Sequence, residues 1–386
     1  MKILLLAPQP FYTERGTPIA VRILAQTLCD LGHRVDLLVY PEGEDVDHPG
    51  LRLLRAMRLP GLGPVPIGFS WKKVAQDLTL AGAAIRRMVR NRYDVVHAVE
   101  ESVYIALATR PIHRARVVYD MDSSMADQLC RKSPLLARFG RLLHGAERWA
   151  LRRADGVLAV CRDLVDRAEA AAPHGPVALL EDVALESWGN GDREGGAEDL
   201  RTHVRQDRPL VLYVGNLEPY QGVDLAVEAL AAAGAPADLV VIGGDREGAG
   251  RLRRLAGALG VGEAVHLLGP RPVADLMAYL RQADILLSPR TEGNNTPMKL
   301  YSYLAAARPV LATDIRSHTQ VLDDRTALLV PPEPAAMGAA LRRLAEDAAL
   351  RASLGQAAGE LAAERFGMAR FRQRLERFYS QLESAH

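Results

Sequence analysis

Short apolar runs alternate with longer segments whose apolar residues recur at helical spacing along almost the whole chain. In the first half, Lys2–Leu6, Val35–Val39, Asp94–His97, Val117–Tyr119, Gly156–Val160 and Val177–Leu180 read as strands, and Pro18–Leu31 reads as an amphipathic helix. Glu186–Arg208 then breaks the rhythm with a run rich in Gly, Asp, Glu and Arg. Beyond it the pattern restarts with strand Pro209–Val214, helix Val223–Ala233, strand Asp238–Ile242, helix Arg246–Leu259, strand Ala264–Leu268, helix Val273–Arg281, strand Asp284–Ser288 and a helix from Pro297. Such alternation predicts the α/β class with parallel sheets. Residues 1–186 and 209–365 are therefore expected to form two doubly wound, Rossmann-like domains, with residues 187–208 as the linker. In the last segment, 366–386, helix Met368–Leu382 sets Phe371, Leu375, Phe378 and Leu382 at a spacing suited to packing back on the first domain. Open parallel sheets bind ligands beyond the carboxyl ends of their strands, so two of them facing each other predict a central cleft.

A length of 386 residues suits two such domains. Composition narrows the partners: 48 Lys and Arg stand against 47 Asp and Glu, without the excess of positive charge that marks a nucleic-acid binder. Cys29, Cys130 and Cys161 are scattered, with neither metal-ligand spacing nor the density of a secreted disulfide scaffold, which points to a reducing cytoplasm. The opening MKILLLAPQP is stopped by Pro and has no small-residue cleavage site, and no other run approaches the length of a spanning helix. Any membrane contact is expected at the cytoplasmic face.

The most informative stretch is Arg290–Ile315, where a strand ends, a polar loop follows and a helix begins. Thr296 reads as the N-cap and Pro297 as the first helical residue, so free backbone N–H groups point at whatever lies beyond the strand ends. Lys299 falls in the same turn. A cation there opposes the helix dipole, and a bound phosphate would offset that cost.

The order and spacing of several segments resemble the glycosyltransferases of GT-B fold, specifically the retaining family 4 group, over nearly the whole chain. The matching residues are Arg15–Pro18, Leu31–Val35, Tyr93–His97, Arg153–Val157, Val214–Leu217, and Glu292 through Pro309 and Val310. The resemblance implies a nucleotide-sugar donor held by the second domain and an acceptor held by the first, with no cofactor and no metal. It assigns the donor to Gly16, Thr17, Gly215, Asn216, Gln221, Arg290, Asn294, Asn295, Thr296, Lys299 and Ser302. Glu292 resembles the first carboxylate of the family's paired-glutamate motif, and His97 and Asp122 are its catalytic companions. Glu100 and Asp120 are assigned to the acceptor.

The sequence departs from the family pattern at charged positions. A basic pair usually grips the diphosphate, yet the corresponding positions are Asn216 and Gln221; Arg290 and Lys299 are the local replacements. The second glutamate of the pair is Ser302, the usual glycine is Ala307, Val99 stands for a frequent histidine, and Asp122 stands for another. Asp120-Met121-Asp122 has the form of a metal-binding Asp-x-Asp, but it falls in the acceptor domain, away from the anion-binding helix, so a metal role is rejected.

Charge is distributed unevenly. Between Leu51 and Tyr93, Arg52, Arg55, Arg58, Lys72, Lys73, Arg86, Arg87, Arg90 and Arg92 face only Asp77, with Phe69 and Trp71 among them. Between Arg131 and Arg153, Lys132, Arg138, Arg141, Arg148 and Arg152 face only Glu147, with Phe139 and Trp149 interleaved. Basic and apolar side chains mixed in this way suit an anionic membrane surface and a lipid-linked acceptor; solvated helix faces are the plain alternative. The expected function is transfer of a sugar from a nucleotide-sugar to an acceptor hydroxyl. Its rivals are a sugar-nucleotide epimerase and a binding partner that kept the fold and lost donor chemistry.

Overall fold

The computed structural model describes residues 1–13, 16–61, 71–132, 134–185 and 196–384. Arg15, Phe69, Glu186 and residues 187–195 of the expected linker lie outside these, as do the side chains of Trp71 and Lys132. The chain divides into two compact units, one formed by Met1–Glu181 with Phe371–His386 and the other by Asp182–Arg370.

The first unit holds strands β1 (Lys2–Leu6), β2 (Arg34–Val39), β3 (Leu51–Arg55), β4 (Val95–Val99), β5 (Arg116–Met121), β6 (Gly156–Ala159) and β7 (Val177–Leu179). They form one sheet in the order β3-β2-β1-β4-β5-β6-β7, and every pair is parallel. Because strand side chains alternate, Leu4, Leu6, Val96, Ala98, Val117 and Tyr119 share one face. There they pack with Leu80, Ala84 and Met88 of helix Trp71–Arg90 and with Ala150 and Leu151 of helix Gly140–Arg153. Helix Met368–Ser384 buries Phe371, Leu375, Phe378, Tyr379 and Leu382, and Phe371–His386 belongs to this unit.

The second unit holds β8 (Leu210–Val214), β9 (Asp238–Ile242), β10 (Val265–Gly269), β11 (Ile285–Ser288), β12 (Val310–Thr313) and β13 (Ala327–Val330), in the order β10-β9-β8-β11-β12-β13 and again all parallel. Leu200 and Val204, within the segment expected as linker, are buried in its core. Strands β3, β12 and β13 were not anticipated from the sequence. Each is short, and β3 carries arginines that interrupt its apolar signal. Among the described residues no helix is long and apolar enough to cross a membrane.

In both sheets the strand order reverses beside the first strand, between β1 and β4 in one and between β8 and β11 in the other. At such a switch point the loops after neighbouring strands leave in opposite directions and open a crevice beyond their carboxyl ends.

Candidate active site

The crevice of the second unit is lined by the loops after β8 and β11. After Val214 the chain turns at Gly215 with φ +151°, a conformation that favours glycine. A Cβ there would come 2.9 Å from the Tyr213 hydroxyl and 3.1 Å from Lys299 Nζ, so Gly215 makes room for that amine. Lys299 Nζ donates to Gln221 Oε1 at 3.1 Å and lies 4.0 Å from the centre of the Tyr213 ring. Tyr213 in turn donates to the Asn216 carbonyl at 2.6 Å. A helix residue thus delivers an ammonium to Gln221, one of the two positions where the family's basic pair is absent. Burial, and then the nearby Arg290 charge, push the Lys299 pKa down to about 7.

Arg290 does something other than face the crevice as a bare cation. It is 8% exposed, and its guanidinium donates to the Glu292 carbonyl at 2.6 Å, the Asn295 carbonyl at 3.1 Å and Asn295 Oδ1 at 3.2 Å. The loop is wound around this side chain. Gly293, at φ +136°, completes the wrap, since a Cβ there would fall 2.2 Å from a guanidinium nitrogen. Glu292 and Asn294 are left on the more accessible side, and the Asn294 carbonyl accepts from Gln320 at 2.7 Å.

The helix start differs from the expectation. Helix Lys299–Ala305 is capped by Met298 without a side-chain bond, and its first turn is closed by Leu300 N–H donating to Pro297 O at 3.0 Å. Thr296 does not cap it. With Arg290 drawing the loop inward, Thr296 is 3% exposed and its buried hydroxyl has no hydrogen-bond partner among the described residues. An unsatisfied buried hydroxyl is costly, which makes it a natural acceptor or donor for a ligand group. Ser302 is 1% exposed and its Oγ accepts from Leu185 N–H at 3.2 Å, which ties it to the chain that precedes the second unit's first strand.

His318 was not singled out from the sequence. It is fully buried, with Nε2 3.0 Å from Ser288 Oγ and Nδ1 2.8 Å from the Thr313 carbonyl, and it ties β11 to β12 beneath the loop. Burial, with the Arg290 and Lys299 charges adding to it, pushes its pKa down to about 4. It is therefore neutral at physiological pH and adds no cation.

In the first unit Gly16 opens helix Gly16–Asp30, Thr17 follows half-buried, and a Cβ on Gly16 would meet nothing within 4 Å. Past β4, Glu100 adopts φ +50° and accepts from Ser123 Oγ at 2.7 Å. Its pKa is pushed up by burial and by the adjacent Glu101. Glu101 pairs with Lys73, whose amine also donates to the Pro8 carbonyl at 3.3 Å, and Tyr40 donates to Asp77. No local pattern announces this convergence, because it joins residues far apart in the chain. Asp122 lies half-buried in the turn after β5.

His97 is placed unlike a group that meets substrate. It is fully buried on β4, with Nδ1 2.7 Å from the Tyr379 hydroxyl and Nε2 3.1 Å from Asp120 Oδ2, so both ring nitrogens are occupied. Tyr379 was outside every sequence-based expectation.

Residues 15–181 match the family described as Glycosyl transferase 4-like domain, and residues 208–347 match Glycosyl transferases group 1. An alpha-D-kanosaminyltransferase from Streptomyces kanamyceticus is 27% identical over 245 residues, 61% of this chain and 63% of its own length. The match thus spans less than two thirds of that relative. A phosphatidyl-myo-inositol mannosyltransferase from Mycobacterium leprae is 27% identical over 360 residues, 91% of this chain and 89% of its own. Among solved structures, Anabaena HepE in complex with UDP-glucose aligns with a TM-score of 0.74 over 98% of this chain and 99% of that one, at 16% identity. The chain belongs to the glycosyltransferases of GT-B fold, with a glycosyltransferase 4-like domain followed by a group 1 domain.

Proposed function

We propose that the protein transfers a sugar, with retention, from a nucleoside diphosphate sugar to an acceptor hydroxyl, and that the acceptor is lipid-linked and met at the cytoplasmic face of a membrane. The observation that carries the donor assignment is the Lys299 ammonium beside Gln221 at the switch point of the second sheet. Departure of a nucleoside diphosphate builds negative charge on the leaving phosphate, and a desolvated cation fixed beside it stabilises that charge more than a solvated one. The buried Thr296 hydroxyl and Asn216 lie on the same loops, and the likeness to a UDP-glucose complex supports this class of donor. A thermal-shift panel of nucleoside diphosphates and their sugars tests the reading, since a ligand that binds the folded state raises its melting temperature. A flat response to every member would sink it.

Lys299 makes binding pH-dependent in a stated direction. Its pKa is near 7 in the free protein, and a diphosphate would hold the proton on it, so binding at pH 8 should take up protons and weaken as pH rises past 7. In the unliganded protein the unfolded chain keeps this proton up to the ordinary lysine value, so this group makes stability rise with pH above about 7. Calorimetry in buffers of different ionisation heat should detect the uptake in wild type and not in Lys299→Met. Equal proton uptake in the two proteins would take Lys299 out of the site.

The charge neutralisation is assigned to Lys299 and the Arg290 field, which leaves no step for a divalent ion. Turnover should be the same with and without EDTA. Activity lost on chelation and restored by magnesium or manganese would overturn the assignment.

The lipid-linked acceptor is supported by the outer side of the first unit. Val74, Leu78, Ile85 and Val89 recur at helical spacing on the exposed side of helix Trp71–Arg90, and Leu78 is 71% exposed. On the same sheet face, Phe139, Leu142 and Trp149 are exposed on or beside helix Gly140–Arg153, with Leu142 at 70%. Arg86, Arg90, Arg138, Arg141, Arg148 and Arg152 are exposed among them. Of the acids of these two helices, Asp77 is half-buried and accepts from Tyr40, and Glu147 is 2% exposed and paired with Arg167. Two cations counted in the sequence leave the surface: Arg55 donates to the Phe11, Glu42 and Glu44 carbonyls at 2.7, 2.9 and 2.8 Å, and Lys73 turns to Glu101. The relative that acts on a phosphatidyl-inositol, matched over most of both chains, agrees with a lipid acceptor.

A further inference from the structure

We propose that Tyr379, on the C-terminal helix, is a positioning residue for acceptor binding: through His97 it holds the Asp120 carboxylate, which receives a hydroxyl of the acceptor. The inference rests on the transferase reading above and adds a residue to it.

The hydrogen-bond chain has only one direction. The Asp120 carboxylate accepts and cannot donate, so the ring nitrogen facing it at 3.1 Å, His97 Nε2, carries the proton. In the neutral imidazole Nδ1 is then a lone pair, and the Tyr379 hydroxyl at 2.7 Å must donate to it. His97 is fully buried and Tyr379 is 2% exposed, so water does not substitute for either partner. The two rings lie nearly parallel, 12° apart with centroids 6.2 Å apart, which holds the imidazole plane as well as its tautomer. Without the Tyr379 hydroxyl, the Nδ1 lone pair would be buried with nothing to accept from. Asp120 would still hold the proton on Nε2, but the ring would lose the hydroxyl that fixes its plane and with it the aim of the Nε2–H group at the carboxylate.

At the far end the carboxylate is held on one side only. Among the described residues its sole hydrogen bond comes from His97, and its side chain is 13% exposed. It sits at the carboxyl end of β5, paired in register with Val99 of β4 and next to the turn at Glu100, one strand from the switch point between β1 and β4. A carboxylate fixed by one oxygen and accessible at the other is suited to accept from a sugar or cyclitol hydroxyl and to aim it.

Tyr379→Phe keeps the ring and removes only the hydroxyl. With a nucleotide sugar and acceptor identified for the wild-type protein, kcat/KM for acceptor should fall about three- to ten-fold, the size of one net hydrogen bond, while hydrolysis of the donor to water in the absence of acceptor stays unchanged. In an Asp120→Asn background the same substitution should add nothing, because the path it acts through is already cut. A purely structural tether would instead give effects that multiply, with donor hydrolysis falling alongside transfer. A second readout needs no substrate: nitrogen-15 imidazole spectra, with the His97 signal assigned by its loss in His97→Gln, should show the Nε2–H tautomer in wild type, and in Tyr379→Phe an Nδ1 signal shifted by loss of its hydrogen bond. Multiplying effects, an Nδ1–H tautomer in wild type, or a Tyr379→Phe protein unchanged in both readouts would overturn the proposal. Absence of any turnover by wild type would count against the transferase reading instead, and the spectra would still decide the hydrogen-bond chain.

Discussion

Lys299→Ala should weaken nucleoside diphosphate binding by about 10- to 150-fold, the equivalent of the roughly 1.5–3 kcal/mol that a hydrogen bond to a charged group contributes. The size follows from the site having so few cations to share the load. The two positions that resemble the family's basic pair are Asn216 and Gln221, His318 is neutral, and three Arg290 donors are engaged by the loop. Nothing else in the Gln221–Tyr213–Lys299 group carries a positive charge. Removing the amine should leave the fold intact, since Gln221 Oε1 keeps the Tyr213 hydroxyl 3.5 Å away. Titration calorimetry with the best diphosphate from the thermal-shift panel measures the change, and unfolding curves confirm that the variant is folded. Wild-type affinity in a folded Lys299→Ala protein would place the diphosphate elsewhere.

Neutralising Arg86, Arg87 and Arg90 together should lower partitioning onto anionic vesicles by on the order of 100-fold at low salt, taking about 1 kcal/mol for each cation near the surface. Arg86 and Arg90 are exposed and Arg87 is half-buried on the helix whose outer side carries Leu78 and Val89. Attraction of this kind is screened within a Debye length, so wild-type binding should itself fall steeply as salt is added. Cosedimentation with vesicles of anionic and of neutral lipid separates the outcomes. Equal binding to both at low salt would remove the membrane from the acceptor proposal and leave a soluble acceptor.

The parallel α/β architecture was legible because it is written in local periods. Apolar runs of a few residues with helical segments between them specify buried strands and crossover helices wherever they fold, and the boundaries read for β1, β8, β9 and β11 lie within a residue or so of those observed. The Arg290–Lys299 loop was legible as a ligand-binding feature for a similar reason: a strand end, a polar loop and a helix start adjoin in sequence. Its internal arrangement was not. The helix begins at Lys299 because Arg290 pulls the preceding carbonyls around itself, and no cap preference encodes a guanidinium reaching across a loop.

What the sequence determined by itself was the strand–helix order, the family to which its motifs belong, and the residue types available at each strand end. Tertiary structure decided which of those residues meet. Lys299 finds Gln221 from 78 positions away, and Tyr379 finds His97 from 282, because strand order at the two switch points and the packing of the last helix bring them together. The same burial that turned His97 from a substrate-facing candidate into a link in a chain also lowered the Lys299 pKa, since both effects depend on how much water the assembled neighbours exclude. A linear sequence carries the identity of each side chain, but its desolvation and its partners are properties of the packed fold.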